Sequence, residues 1–320
     1  MYNFKSVDEA YREARKFNRH EATAPFPPYV TIELLNRCNF RCRMCSLTYM
    51  HEEERQFPLH ELKRVIDEIA KYGSMIRFIG YCEPLLYTHI REAVTYVKSK
   101  GLLLHITTNA SLLDKSMSDF LISAGLDSII FSFQGGSKEE YITMRHLSDA
   151  MYERVINNIK YFRSARKTTR MKLTTTITKR DSKQDIDNFI STHNEYVDEV
   201  QISGLTHFVH ISDYFGDKTV WDDLGIDRPE LKKDASCFLP NFEMLIKPDG
   251  SACACCGAYT KSLVYGNVFE DDIMDIWRGG RAEHIRTRIC GGGLDLANCA
   301  VCPVRYSYAD IDNAVHNTRK

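Results

Sequence analysis

Short apolar runs alternate with longer amphipathic stretches from residue 29 to about residue 204. The apolar runs, at 29–35, 75–79, 102–107, 128–133, 172–177 and 199–202, have the length and flanking turn residues of buried strands. The stretches between them, at 58–71, 89–100, 114–124, 138–166 and 183–195, have helical spacing. This alternation predicts an α/β fold with parallel strands and outer helices. Six repeats are too few for a closed eight-stranded barrel, so we expect a partial, open (β/α)6 TIM-like barrel.

Other patterns flank this barrel. Residues 1–27 predict a surface helix from about Ser6 to Glu21, started by Ser6 with Glu9 in a capping box and stopped by prolines. Residues 243–253 predict a hairpin around a Pro-Asp-Gly turn, and a helix follows at about 272–278. We therefore expect four segments: a helical appendage at 1–27, the barrel at 28–212, a bridge at 213–236 and a small C-terminal module at 237–320.

Composition excludes several classes of function. Hydrophobic residues make up 43% of the chain and charged residues 27%, as in ordinary globular proteins. The formal net charge of −1 provides no field to attract nucleic acid or an anionic membrane. No apolar run has the length of a membrane span, and the N-terminus lacks a secretory segment. Eleven cysteines without an export signal indicate a reducing cytoplasm and metal or redox use.

Three cysteines, Cys38, Cys42 and Cys45, follow the first predicted strand with the spacing Cys-x3-Cys-x2-Cys. Such closely spaced thiolates must surround one inorganic centre. Structural zinc would need a fourth protein ligand. An iron–sulfur cube held by three thiolates keeps one iron open for another ligand. A redox-active or zinc cysteine cluster is the alternative.

The triplet, its place after a first strand and the aromatic Phe40 resemble the radical S-adenosylmethionine (SAM) enzymes. The resemblance implies that Cys38, Cys42 and Cys45 hold a [4Fe–4S] cluster whose open iron binds SAM. One electron, from an external donor of the flavodoxin or ferredoxin type, then cleaves SAM to a 5′-deoxyadenosyl radical that removes a hydrogen atom from a C–H bond. It also implies the partial barrel.

Polar residues at later strand ends are the candidates for binding SAM. Glu83 lies in Glu-Pro-Leu-Leu, which looks like the Gly-Gly-Glu-Pro motif that meets the SAM amino group, with Cys82 where glycine is usual. Polar groups at the ends of the third and fourth strands would contact ribose, carboxylate or substrate: Thr108, Asn109, Ser132 and Gln134. Arg145 would pair with the SAM carboxylate, because its guanidinium suits that group; a surface salt bridge is the alternative.

A second cysteine set has the spacing Cys237-x12-Gly250-x4-Cys255, followed by Cys299-x2-Cys302. This spacing, with the phrases Gly-Asn-Val at 266–268 and Asp-Ile-Trp at 275–277, resembles the Twitch module, a short relative of the SPASM extension of radical SAM enzymes. The four cysteines would close one auxiliary cluster, so the cofactors expected are two [4Fe–4S] clusters and SAM. A zinc ribbon would present the same four thiolates.

Twitch members resembling this chain act on small polyhydroxylated compounds such as aminocyclitols and aminoglycosides. The first hypothesis is an epimerase in which a thiol returns hydrogen to the opposite face, with Cys256 ranked before Cys253 as donor. The second is a dehydrogenase that oxidises an alcohol through the auxiliary cluster, with His207 able to act as base. A peptide substrate is a third reading, and a plain electron carrier is the non-enzyme alternative.

Overall fold

A computed structural model describes residues 1–17, 22–48, 53–177, 183–204, 236–255, 261–291 and 299. Six strands are parallel neighbours: β1 (Tyr29–Ile32), β2 (Met75–Phe78), β3 (Leu104–Thr108), β4 (Ser128–Ser132), β5 (Arg170–Ile177) and β6 (Glu199–Gly204). β7 (Glu243–Ile246) pairs in parallel with the free edge of β1, and β8 (Ser251–Cys253) and β9 (Val264–Asn267) follow antiparallel. The strand order is β6-β5-β4-β3-β2-β1-β7-β8-β9. The predicted partial barrel and hairpin are therefore confirmed.

The described helices are α1 (Val7–Arg15), α2 (Leu59–Ala70), α3 (Ile90–Ser99), α4 (Lys115–Ser123), α5 (Lys138–Arg145), α6 (Asp149–Ala165), α7 (Lys183–His193), α8 (Ile273–Arg278) and α9 (Gly280–Cys290). The single helix predicted over 138–166 is wrong, because it consists of α5 and α6. His146 takes a left-handed conformation with φ of 53°, and Ser148 caps the next helix by accepting from the Met151 N–H. Periodicity alone does not register such a break.

Helix α1 closes the base of the barrel. Its predicted start is confirmed, since the Ser6 side chain accepts from the Glu9 N–H, but it ends at Arg15. The Tyr11 ring meets the Tyr29 ring edge-on at 5.5 Å, and Val7, Ala10 and Ala14 are buried. The helix therefore packs its alanines and Val7 on the barrel and exposes Asp8, Arg12 and Arg15 on its other face. The boundaries of the four predicted segments stay a prediction.

The two faces of the sheet differ in polarity. The face under the helices is apolar, and Val30, Ile32, Ile76 and Phe78 on it have no exposed surface. The opposite, inner face carries polar side chains: Thr31, Arg77, His105, Thr107, Ser128, Lys172 and Thr174. A closed barrel would fill this space with branched apolar side chains. The inner face of this open barrel is therefore built to meet polar groups.

The charges on the inner face are paired. Arg77 donates to Glu243 at 3.1 Å, and Lys172 lies 3.0 Å from Glu199. Burial and the two nearby cations lower the pKa of His105 to about 3, so this ring is neutral and bonds the hydroxyls of Ser128 and Thr107 at 3.0 Å each. The arrangement is polar with little net charge.

The C-terminal module is joined to the barrel through side chains as well as through β1 and β7. The Glu68 carboxylate of α2 accepts from the Ile273 N–H at the start of α8, at 2.9 Å, and from Arg64 at 2.6 Å. Trp277 is fully buried and its indole N–H donates to the Ala24 carbonyl at 3.0 Å. Barrel and module thus share one sheet and one core.

Candidate active site

The loop after β1 carries the three closely spaced thiols. The Phe40 N–H points to the Cys38 sulfur at 3.4 Å, and the Cys45 N–H donates to the Cys42 carbonyl at 3.0 Å. Burial, with the Glu83 carboxylate and the Cys42 thiol, raises the pKa of Cys38 to about 11, and burial with the neighbouring thiols raises the pKa of Cys45 to about 12. Three thiols that repel one another's charge are close together, and holding them as thiolates needs a strongly cationic centre.

Within the described residues, no three His, Cys, Asp or Glu side chains converge on the position of one metal ion. The three thiolates of Cys38, Cys42 and Cys45 are the donor type that an iron–sulfur cube takes, and three of them keep one iron open. By the chemistry of its donors, the loop fits such a cluster.

The loop after β2 folds around the carboxylate of Glu33. Glu33 follows β1 and accepts from the Tyr81 N–H at 2.5 Å. A Cβ atom at Gly80 would stand only 2.4 Å from the same carboxylate oxygen, so this position needs glycine. Cys82 lies next along this loop, and burial, then the carboxylates of Glu33 and Glu83, raise the pKa of its thiol. The loop therefore has a glycine, Gly80, close to the glycines of the Gly-Gly-Glu-Pro motif. It has a thiol, that of Cys82, at a position where the motif usually has glycine.

Glu83 is buried with 1% of its surface exposed, and its carboxylate accepts three hydrogen bonds. The donors are the Thr108 hydroxyl at 2.6 Å, the Asn109 N–H at 2.7 Å and the Leu85 N–H at 3.1 Å. Burial raises the pKa of Glu83, against the opposing effect of these donors. A carboxylate offers about four acceptor positions, so one stays open for an amino group.

Asn109 faces the cysteine loop in this structure. Its side-chain N–H group donates to the Asn39 side-chain oxygen at 2.9 Å and points to the Cys38 sulfur at 3.8 Å. The Ser111 hydroxyl donates to the Asn109 side-chain oxygen at 2.6 Å and accepts from the Asn39 amide at 2.8 Å. Thr108 and Asn109, expected to reach ribose or substrate, thus tie the third strand end to Glu83 and to the thiol loop.

Arg145 lies behind the thiol loop and is 2% exposed, so a surface salt bridge is wrong for this residue. It donates to the Ser132 carbonyl, and its guanidinium carbon is 5.5 Å from the Phe40 ring and 5.0 Å from the Tyr141 ring. Arg145 Nε, Gln134 Oε1 and the Tyr141 hydroxyl are buried with no hydrogen-bond partner among the described residues. Arg145 and Tyr141 are neighbours, and unpaired buried polar groups on neighbouring side chains indicate a ligand that would satisfy them.

Contacts within the C-terminal module explain why its sequence has Gly250 and the Gly-Asn-Val phrase. Gly250 has φ of +84°, and a Cβ there would stand 2.2 Å from the Asn267 side-chain oxygen. Asn267 donates to the Asp249 carbonyl at 3.0 Å, and the Val268 N–H donates to the Gly250 carbonyl at 2.8 Å. The motif glycine and the Gly-Asn-Val phrase therefore form one turn, which precedes Cys255.

The thiols of the module are only partly described. Cys237 and Cys255 are half-buried and Cys299 is buried. Cys290, which the sequence left unassigned, donates to the Cys237 carbonyl at 3.4 Å. Cys302, Cys256 and His207 lie outside the described residues, so their roles stay predictions.

Cys253 lies on β8 opposite Leu245, on the inner face of the sheet, with none of its surface exposed. The Cys253 thiol therefore has no access to solvent in this structure, and its role as a hydrogen donor, like that of Cys256, stays a prediction.

Several residues at the two sites were missed from the sequence: Glu33, Asn39, Ser111, Tyr141 and Arg286. Asn39 directly follows Cys38, which was a usable signal. The other residues reach the sites only through long-range contacts. Arg286 is 6% exposed, lies 3.8 Å from the Trp277 ring centroid, and donates to the Pro240 carbonyl at 2.9 Å, close to Cys237.

Comparisons with known proteins agree with this geometry. A sequence model of the radical SAM superfamily matches residues 32–192, and one of the SPASM iron–sulfur cluster-binding domain matches residues 237–303. The chain is 26% identical over 290 residues to the tungsten-containing aldehyde ferredoxin oxidoreductase cofactor-modifying protein of Pyrococcus furiosus, a match that covers 79% of this chain and 81% of that protein.

Two solved structures share the fold. BtrN in complex with AdoMet and 2-DOIA has a TM-score of 0.54 and 16% identity, covering 87% of this chain and 92% of BtrN. Streptococcus suis SuiB bound to the precursor peptide SuiA has a TM-score of 0.66 and 17% identity, covering 89% of this chain and 73% of SuiB. Within the described residues, no helix is long and apolar enough to cross a bilayer.

Proposed function

Because the chain belongs to the radical SAM superfamily, we propose that it removes a hydrogen atom from a carbon of a small, polyhydroxylated substrate bound on the polar inner face of its sheet. The family and its C-terminal module bring SAM and iron–sulfur clusters to the protein. Reductive cleavage of SAM at the open iron supplies the hydrogen-abstracting radical. The protein's own task is then to bind, orient and shield.

The binding roles follow from the contacts at the strand ends. Cys38, Cys42 and Cys45 hold the first cluster. The remaining acceptor position of Glu83 takes the SAM amino group, and the unpaired Nε of buried Arg145 takes its carboxylate. Ser132 and Gln134, at the next strand end, are the proposed ribose contacts.

The inner face is the observation that carries the substrate class. Its cations Arg77 and Lys172 are already paired with Glu243 and Glu199, and His105 is neutral. A phosphate or carboxylate substrate would have to compete with these partners, and displacing Arg77 from Glu243 would leave a buried carboxylate unpaired. Hydroxyl and amino groups of a substrate can instead form hydrogen bonds with the hydroxyls and the ion pairs of the inner face without separating any of these pairs. A neutral or cationic polyol, such as an aminocyclitol, fits this surface best.

The outcome after hydrogen abstraction separates two reactions. In the epimerase, Cys256 would return a hydrogen atom to the opposite face, and the resulting thiyl radical would regain an electron from the external donor and a proton from solvent. In the dehydrogenase, a base such as His207 would take the proton, and an auxiliary cluster held by Cys237, Cys255, Cys299 and Cys302 would supply the acceptor for the electron. Epimerisation is our first choice because Cys256 directly follows a proposed cluster ligand.

The test uses anaerobically reconstituted protein, dithionite and SAM with panels of aminocyclitols, aminoglycosides and short peptides. Carbon-deuterated substrate should transfer deuterium to 5′-deoxyadenosine. Unlabelled substrate in D2O should then yield an isomer with one added deuterium, which Cys256→Ala should abolish. A product lighter by two hydrogens, without solvent deuterium, would make the enzyme a dehydrogenase. Label transfer from peptides alone would refute the small-molecule assignment.

A further inference from the structure

The turn that follows β3 carries Asn109, whose side chain reaches the proposed cluster ligand Cys38 from outside the thiol loop. Asn109 N–H bonds Glu83, and its side-chain N–H group points to the Cys38 sulfur at 3.8 Å. Its side-chain oxygen accepts from the backbone N–H and hydroxyl of Ser111, at 2.9 and 2.6 Å. These acceptor bonds fix the orientation of the amide, so that its donor side faces Cys38 and Asn39.

The next residue, Ala110, holds this turn in a conformation that alanine rarely adopts. Its φ is +62°, in the left-handed region where a Cβ atom is unfavourable. Strained backbone of this kind persists only where the surroundings impose it. Ala110 has no exposed surface, and its N–H donates to the Thr108 hydroxyl at 3.0 Å. A further contact must hold the carbonyl of Ala110.

That contact comes from α6. The side-chain amide of Asn158 donates to the Ala110 carbonyl at 2.8 Å and reaches the Ser111 carbonyl at 3.5 Å. One carbonyl belongs to the strained residue itself and the other to the residue after it. The side-chain amide of Asn158 therefore fastens this turn to α6, which is distant in sequence. The neighbouring Asn157 is exposed on the same helix.

We propose that Asn158 is a positioning residue for the first cluster: it holds the left-handed Ala110 turn so that the Asn109 side chain donates a hydrogen bond to the Cys38 sulfur. The inference rests on the proposed ligand role of Cys38. A hydrogen bond to a ligand sulfur favours the more negative, reduced cluster and so raises its reduction potential. Loss of the clamp should lower that potential.

The experiment compares holoprotein carrying Asn158→Ala with the matched Asn157→Ala variant. The midpoint potential of the first cluster is followed by electron paramagnetic resonance, using the signal that changes on SAM addition, and melting is measured in parallel. We expect a lower midpoint for Asn158→Ala and an unchanged one for Asn157→Ala. Asn109→Ala, which removes the donor itself, should lower the midpoint at least as far.

A rescue experiment distinguishes a positioning role of Asn158 from a role that only fastens α6 to the barrel. Glycine adopts positive φ without strain, so Ala110→Gly added to Asn158→Ala should restore much of the potential. Asn158→Asp, which keeps the shape but loses the donor, serves if the alanine variant folds poorly. The inference fails if Asn158→Ala lowers melting while its midpoint matches that of Asn157→Ala, or if the double variant does not recover. Wild-type protein without a SAM-sensitive signal would instead refute the proposed ligand role of Cys38.

Discussion

The thiol loop of the barrel and the C-terminal module both place cysteines beside a buried arginine flanked by aromatic rings. Arg145 lies near the rings of Phe40 and Tyr141, and Arg286 packs on Trp277. Each arginine keeps one nitrogen without a hydrogen-bond partner among the described residues. A cation at each place favours a reduced, more negative cluster.

The two sites differ in how their ligands are brought together. The three cysteines of the barrel loop lie within one short segment, and that segment is fastened to neighbouring strand ends. The Arg37 carbonyl accepts from the Glu83 N–H at 3.1 Å, and the Arg43 N–H donates to the Met144 carbonyl at 2.9 Å. The proposed ligands of the module, Cys237, Cys255, Cys299 and Cys302, come from separate segments of the chain. Because a metal that joins distant segments contributes folding energy, the module should depend on its cluster far more than the loop does.

The largest expected effect comes from removing the barrel ligands together. Cys38, Cys42 and Cys45 replaced by Ala should abolish SAM cleavage and halve the iron from about eight to about four atoms per chain. Because the loop is fastened by backbone bonds, the protein should stay folded. Iron analysis, 5′-deoxyadenosine yield and circular dichroism check this. Undiminished cleavage would contradict the ligand assignment.

A Cys299→Ala variant should also lose about four irons, but with the opposite pattern. SAM cleavage without substrate should continue, while the module loosens and the protein aggregates more readily, because the metal no longer joins its segments. Metal content, protease sensitivity and uncoupled cleavage are the measurements. Zinc at this site in the unaltered protein, with only about four irons, would establish the zinc ribbon.

Replacing Arg286 by Lys should destabilise the module by about 2–4 kcal/mol, because the stacking on Trp277 and the bond to the Pro240 carbonyl are lost together. The thermal midpoint at a fixed scan rate should fall by several degrees. Arg281→Lys is the control at an exposed position of the same helix: Arg281 donates to the Val264 carbonyl at 2.6 Å and to the Lys261 carbonyl at 3.3 Å, and losing these exposed bonds should change the stability by about 1 kcal/mol or less. Equal shifts for the two variants would show that burial of Arg286 is not important for stability.

The smallest expected effect lies at the contact between α2 and α8. Glu68→Gln should cost about 1–2 kcal/mol, since Glu68 is buried and serves both Arg64 and the Ile273 N–H. Glu61→Gln removes a more exposed partner of the same arginine and should cost about 0–0.5 kcal/mol. Chemical denaturation midpoints distinguish them. A Glu61 effect as large as that of Glu68 would argue against this contact as a link between barrel and module.

The sequence predicts what local spacing determines. Period-two and helical patterns located all six barrel strands, and eight residues sufficed to identify the thiol loop. The break between α5 and α6 at His146 was not predicted, because its cause is a single left-handed residue inside a continuous helical pattern. The Arg77–Glu243 pair and the clamp of Asn158 on Ala110 join distant parts of the chain, so no window of sequence contains both partners. Asn109 was identified as a site residue, but the direction of its side chain depends on Ser111 and Asn39.

The pairing of β1 with β7 has a consequence for biosynthesis. Tyr29 and Glu243 are neighbours in the sheet but are separated by most of the chain. Contacts between residues so far apart in sequence form late in folding. On the ribosome, β1 can pair with β2 early, while its other edge waits unpaired until β7 emerges. An unpaired edge strand invites association with other chains. The nascent barrel therefore passes through a stage in which the residues of its thiol loop have been made while the outer edge of β1 is still open.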